Sequence, residues 1–100
     1  MKIALYGLSV NHDFIEELNS LFQLFANKQI ECWVYQPFLE YLQSDCGLNP
    51  NIAGSFVSGD ELPVDLSFLF SLGGDGTFLK SFMTAKNNSL PIVGINSGRS

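Results

Sequence analysis

The stretch Leu66-Ser67-Phe68-Leu69-Phe70-Ser71-Leu72-Gly73-Gly74-Asp75-Gly76-Thr77 decides the fold of this 100-residue chain. Leu66 to Leu72 is a short, nearly continuous apolar run, the pattern of a strand buried on both faces of a parallel sheet. It runs into three glycines, and Phe78, Leu79, Phe82 and Met83 then recur at helical spacing, so a helix starts at the turn. Glycines tolerate positive φ and let a ligand approach the backbone with no Cβ in the way. The helix start adds unpaired amides and the positive end of a dipole, which together seat a phosphate. Asp75 is out of place in such a turn. A carboxylate repels phosphate unless a metal lies between them, or unless it serves as a base or as an acceptor for a hydroxyl, such as that of a ribose. The same residues also fit a plain tight turn in which Asp75 caps the helix. Neither GxGxxG nor GxxxxGK[ST] is present, so dinucleotide oxidoreductases and P-loop enzymes lose their motif.

Outward from the turn, strands and helices alternate. Ile3 to Leu8 reads as a buried strand. A helix follows, with Asp13 as predicted N-cap, Glu16 completing a capping-box-like pair, and Phe14, Ile15, Leu18, Leu21, Phe22 and Phe25 on one apolar face. Ile30 to Tyr35 is a β-branched and aromatic second strand, and Pro37 suits the first turn of a helix that stops near Gly47. Gly47 to Pro63 is a loop with a short strand at Ser55-Phe56-Val57, and Pro91 to Ile95 forms the last strand. Such alternation predicts a parallel sheet with helices on both faces. Ligands gather at the carboxyl ends of strands in these sheets, which nominates the turn after the first strand, Gly73 to Thr77, and Asn96 to Ser100.

A single domain is predicted, with 46% hydrophobic residues supplying ample core. The net charge of −5 and only five cations exclude a basic track for nucleic acid. Cys32 and Cys46 form no CxxC pattern and read as reduced structural thiols. No signal peptide and no membrane-spanning run is visible, so the expectation is a soluble, cytoplasmic protein.

Gly73-Gly74-Asp75-Gly76-Thr77 resembles a signature shared by NAD kinases, diacylglycerol and sphingosine kinases and, more loosely, phosphofructokinases. The flanks separate these groups. Gly94-Ile95-Asn96-Ser97-Gly98, behind the strand led by Pro91, is similar to the second NAD kinase motif, whereas the Pro-x-Gly-Thr-Gly-Asn stretch of lipid kinases is absent. The chain therefore resembles the amino-terminal domain of ATP-dependent NAD kinases, most specifically from Asp65 to Arg99. The resemblance implies a three-layer, Rossmann-like, phosphofructokinase-like α/β domain over residues 1–100, and phosphorylation of the 2′-hydroxyl of the adenosine ribose of NAD by ATP or polyphosphate. It makes Asp75 the catalytic proton acceptor and an NAD contact, with Gly76 and Lys80 also at NAD. Gly73, Gly74 and Thr77 form the phosphate-binding turn, and Asn96 and Gly98 shape the second-motif loop. Lys80 equally fits a solvated helix position. The implied partners are NAD and ATP, with Mg²⁺ bound through ATP and no metal ligand in the chain; the complete protein is expected to be a homo-oligomer.

Two departures accompany the resemblance. Ser100 stands where the family has the leucine of Leu-Gly-Phe, and both the Asn-Glu or Asn-Asp clamp and the carboxy-terminal β-rich domain are absent from these 100 residues. The chain alone is thus expected to lack appreciable NAD kinase activity. The alternatives are a lipid kinase fragment and a non-catalytic, flavodoxin-like or receiver-like module. The latter places its site after the first strand, where Gly7-Leu8-Ser9-Val10-Asn11 is poor in acids and glycines.

Overall fold

A computed structural model of the chain describes residues 1–73 and 89–95. The strands are β1 (Lys2–Tyr6), β2 (Glu31–Tyr35), β3 (Gly54–Phe56), β4 (Phe68–Leu72) and β5 (Ile92–Ile95); the helices α1 (Ile15–Asn27) and α2 (Gln36–Ser44) join β1 to β2 and β2 to β3. All four pairings are parallel, and the order across the sheet is β3-β2-β1-β4-β5. This is the order of the first five strands of a Rossmann sheet and departs from the flavodoxin-like 2-1-3-4-5. The predicted Rossmann-like α/β class is the one observed.

Alternation along the strands divides the core in two. Ile3 and Leu5 of β1 and Cys32 and Val34 of β2 face Leu18, Phe22 and Phe25 of α1 and Phe38 and Leu42 of α2. Ala4, Tyr6 and Leu69 face the other way, onto Phe56 and Leu62. Each large side chain removed from water in these layers contributes about 1.5–3 kcal/mol. Both described helices thus cover one face of the sheet, and the segment 56–66 contributes cover to the other. The helix expected to start at the glycines lies outside the described residues.

Several local predictions are corrected. β1 ends at Tyr6 rather than at Leu8, which is exposed. Asp13 does not cap α1. The Asn11 side chain accepts from the Asp13 amide at 3.0 Å and opens a 3₁₀ turn, His12–Phe14, so that α1 begins at Ile15 with no side-chain cap. The reciprocal box lies elsewhere, at Ser58 and Glu61: the Glu61 carboxylate accepts from the Val57 and Ser58 amides, each at 2.8 Å. It shapes the 3₁₀ turn Gly59–Glu61, which delivers Leu62 to the core. The short third strand runs Gly54–Phe56, one residue earlier than expected. Helix α1 ends in a Schellman arrangement, with the Gln29 amide donating to Ala26 O (3.2 Å) and the Ile30 amide to Phe25 O (2.8 Å). The residue in the left-handed position there is Gln29, with φ of 57°.

Candidate functional site

Successive strands leave β1 in opposite directions, β2 and β3 to one side and β4 and β5 to the other, so the switch in strand order falls between β1 and β4. A crevice for a ligand is expected at the carboxyl ends of those two strands. In register, Tyr6 at the end of β1 stands beside Ser71 near the end of β4, and Ser71 stands beside Gly94 of β5.

Gly73 takes φ of 89°, a conformation that demands glycine, so the turn leaves the sheet at the residue the sequence nominates. Its amide donates to Ile95 O at 3.1 Å. Sheet pairing therefore continues to the last described residue on both sides, Gly73, which opens the motif segment Gly73–Thr77, and Ile95, which the segment Asn96–Ser100 follows in sequence. Gly73 is the one predicted site residue that is described. Gly74, Asp75, Gly76, Thr77, Lys80, Asn96 and Gly98 lie outside the described residues.

The loop after β1 forms the other rim. A Cβ on Gly7 would sit 3.2 Å from the Phe38 ring, so Gly7 lets the chain turn over that ring. The Tyr41 hydroxyl accepts from the Val10 amide at 3.4 Å and donates to Val10 O at 3.3 Å, fastening the loop to α2. Burial raises the Tyr41 hydroxyl above its ordinary value, the contact with the Val10 backbone opposing that shift. These tethers were not legible in the sequence, where Phe38 and Tyr41 read only as the apolar face of a helix. Ser71 also went unnoticed. Its signal was a hydroxyl at the carboxyl end of an otherwise apolar strand.

A surface cavity of about 530 Å³ opens between the start of α1 and the end of α2, with His12, Asp13, Glu16, Asp45 and Cys46 on its wall. Among the described residues no group of three or more His, Cys, Asp or Glu is arranged to hold a metal ion. Nor is any helix among them long and apolar enough to cross a membrane.

Compared with known proteins, the chain aligns over 99 residues, 99% of its length, with a protein of Bacteroides fragilis at 36% identity. It aligns equally far with proteins of Christiangramia forsetii at 33% and Flavobacterium johnsoniae at 30% identity. All three relatives are NAD kinases. The similarity to NAD kinases thus covers β1 through β5, the glycine turn and the second-motif segment alike. The chain spans about a third of the length of these NAD kinases, 33% in each case. No family model matches it, and no solved structure gives a significant match.

Proposed function

We propose that this chain is the amino-terminal α/β domain of an NAD kinase, which transfers the γ-phosphoryl group of ATP, or a phosphoryl group of polyphosphate, to the 2′-hydroxyl of the adenosine ribose of NAD. The observation that carries the reading is the pairing of β4 with β5 up to Gly73 and Ile95, from which the two motif segments run on in sequence, on the β4 side of the switch point, in a chain similar to NAD kinases along its whole length. In this reading Asp75 accepts the proton of the 2′-hydroxyl as the hydroxyl oxygen bonds to the γ-phosphorus and ADP departs. A base is required because an unassisted ribose hydroxyl is a weak nucleophile. Gly76 and Lys80 contact NAD. Gly73, Gly74 and Thr77 form the phosphate-binding turn, with the Gly73 amide itself held by Ile95 O, and Asn96 and Gly98 shape the adjoining loop. No residue of the chain is proposed to hold a metal; Mg²⁺ bound through the phosphates of ATP would supply charge neutralisation for the transfer. The complete protein is a cytoplasmic homo-oligomer that supplies the substrate clamp these 100 residues lack, so the chain alone is inactive.

The test is direct. The complete protein, given NAD and ATP with Mg²⁺, is assayed for NADP with an NADP-specific dehydrogenase, beside a parallel assay on diacylglycerol and sphingosine. NADP formation with no lipid phosphorylation supports the proposal; lipid phosphorylation without NADP overturns it.

A further inference from the structure

Ser71 is the buried polar residue of the described core, with 3% of its surface exposed, and its hydroxyl has no hydrogen-bond partner among the described residues. A buried hydroxyl without a partner lowers stability, and native structures retain few of them without a reason. Its position supplies one. Ser71 lies two residues before the positive-φ glycine that opens the turn, on the face shared with Tyr6, at the carboxyl end of the strand beside the switch point. Its neighbour on β5 is Gly94, which has no side chain to close that flank, and a Cβ built there meets nothing within 4 Å. A polar group therefore has room to approach Ser71 from the β5 side.

We infer that Ser71 is a positioning residue of the nucleotide site, whose hydroxyl takes up its hydrogen-bond partner only when nucleotide binds at the carboxyl ends of β4 and β5. The inference rests on the NAD kinase reading. The unpartnered hydroxyl weakens the ligand-free protein slightly, and binding removes that penalty, so part of the affinity for nucleotide is the satisfaction of Ser71.

Ser71→Ala in the complete protein removes the hydroxyl and little volume. The melting temperature without ligand is expected to stay level or rise, the stabilisation by NAD to shrink, and KM for NAD to rise about three- to tenfold with kcat changed less, the pattern of an interaction made equally in ground and transition states. Gly94→Ala closes the open flank with no contact to disturb; it is expected to raise KM in the same sense at unchanged melting temperature. Unchanged KM and NAD-induced stabilisation in both variants would overturn the inference. A fall of about 4 °C or more for Ser71→Ala with unaltered kinetics would overturn it too, by marking a purely structural hydroxyl. A wild-type protein that makes no NADP would instead defeat the underlying reading of function, so the two failures are distinguishable.

Discussion

β1 and β5 belong to one parallel sheet and read alike in the sequence, yet they live in different surroundings. Ile3, Ala4, Leu5 and Tyr6 of β1 are each at most 1% exposed, whereas Ile92 and Val93 of β5 are each 39% exposed. Among the described residues, β1 pairs with β2 on one side and β4 on the other, and β5 pairs with β4 alone. Apolar composition makes both segments strands, but the number of flanking strands and covering layers sets how much each stabilises the fold. The proposed site falls between them, with a firmly packed rim at β1, Gly7 and Val10 and a thinly covered one at β5.

The largest effect is expected at the turn between the two rims. Asp75→Asn in the complete protein should lower kcat by about 10²–10⁴ while the melting temperature holds. Unchanged turnover would reduce Asp75 to a helix cap and leave the rims with no chemistry between them. The two strands can then be set against each other directly. Leu5→Ala, at a fully buried position, should cost about 2–5 kcal/mol in urea unfolding. Val93→Ala on the exposed edge should cost about 1 kcal/mol or less. Equal losses would break the comparison.

A stabilising change is available on the firm side. Gln29 holds φ of 57° at the end of α1, a conformation that suits glycine better, so Gln29→Gly should raise stability by about 1 kcal/mol. A lower midpoint would mean that the Gln29 side chain does more than close the helix. Accessibility offers another probe of the interior. Burial pushes the Cys32 thiol up to about 12, so it stays neutral at pH 8 and should resist iodoacetamide until the protein unfolds. Labelling of Cys32 in the native state would show that β2 opens readily.

The smallest effect concerns acid. Glu61 is held below its ordinary value, chiefly by the Ser58 amide and then by that of Val57. A depressed carboxyl contributes stability above its unfolded value and loses it as pH falls through the folded one. Glu61→Gln should therefore lower stability slightly at neutral pH and converge with the parent in acid, which flattens the acid limb of the stability curve. A steeper acid limb in the variant would contradict the sign.

Local signals were legible where one physical demand acted alone. The apolar run ending at Leu72 forms a strand, although it starts at Phe68 rather than Leu66, and the positive-φ glycine after it and the proline opening α2 stand as read. They failed where neighbours competed. Asn11 and Asp13 are both good caps two residues apart, and it is Asn11 that accepts, from the Asp13 amide, while opening a 3₁₀ turn ahead of α1. The third strand opens on Gly54 opposite Trp33, where a Cβ would lie 2.9 Å from the Trp33 indole nitrogen on β2, so the position needs glycine through a contact that no local pattern announces.

By itself the sequence determined the class of fold, the strand that leads into the glycine turn, and the acid placed within that turn, because hydrophobic period and glycine chemistry are local. Tertiary structure alone decided that β4 lies beside β1, that Gly73 pairs with Ile95 of the adjacent strand, and that the Ser71 hydroxyl is buried without a partner among the described residues. Those facts depend on which strand edges pair across dozens of residues, and an apolar strand carries no mark of its neighbour.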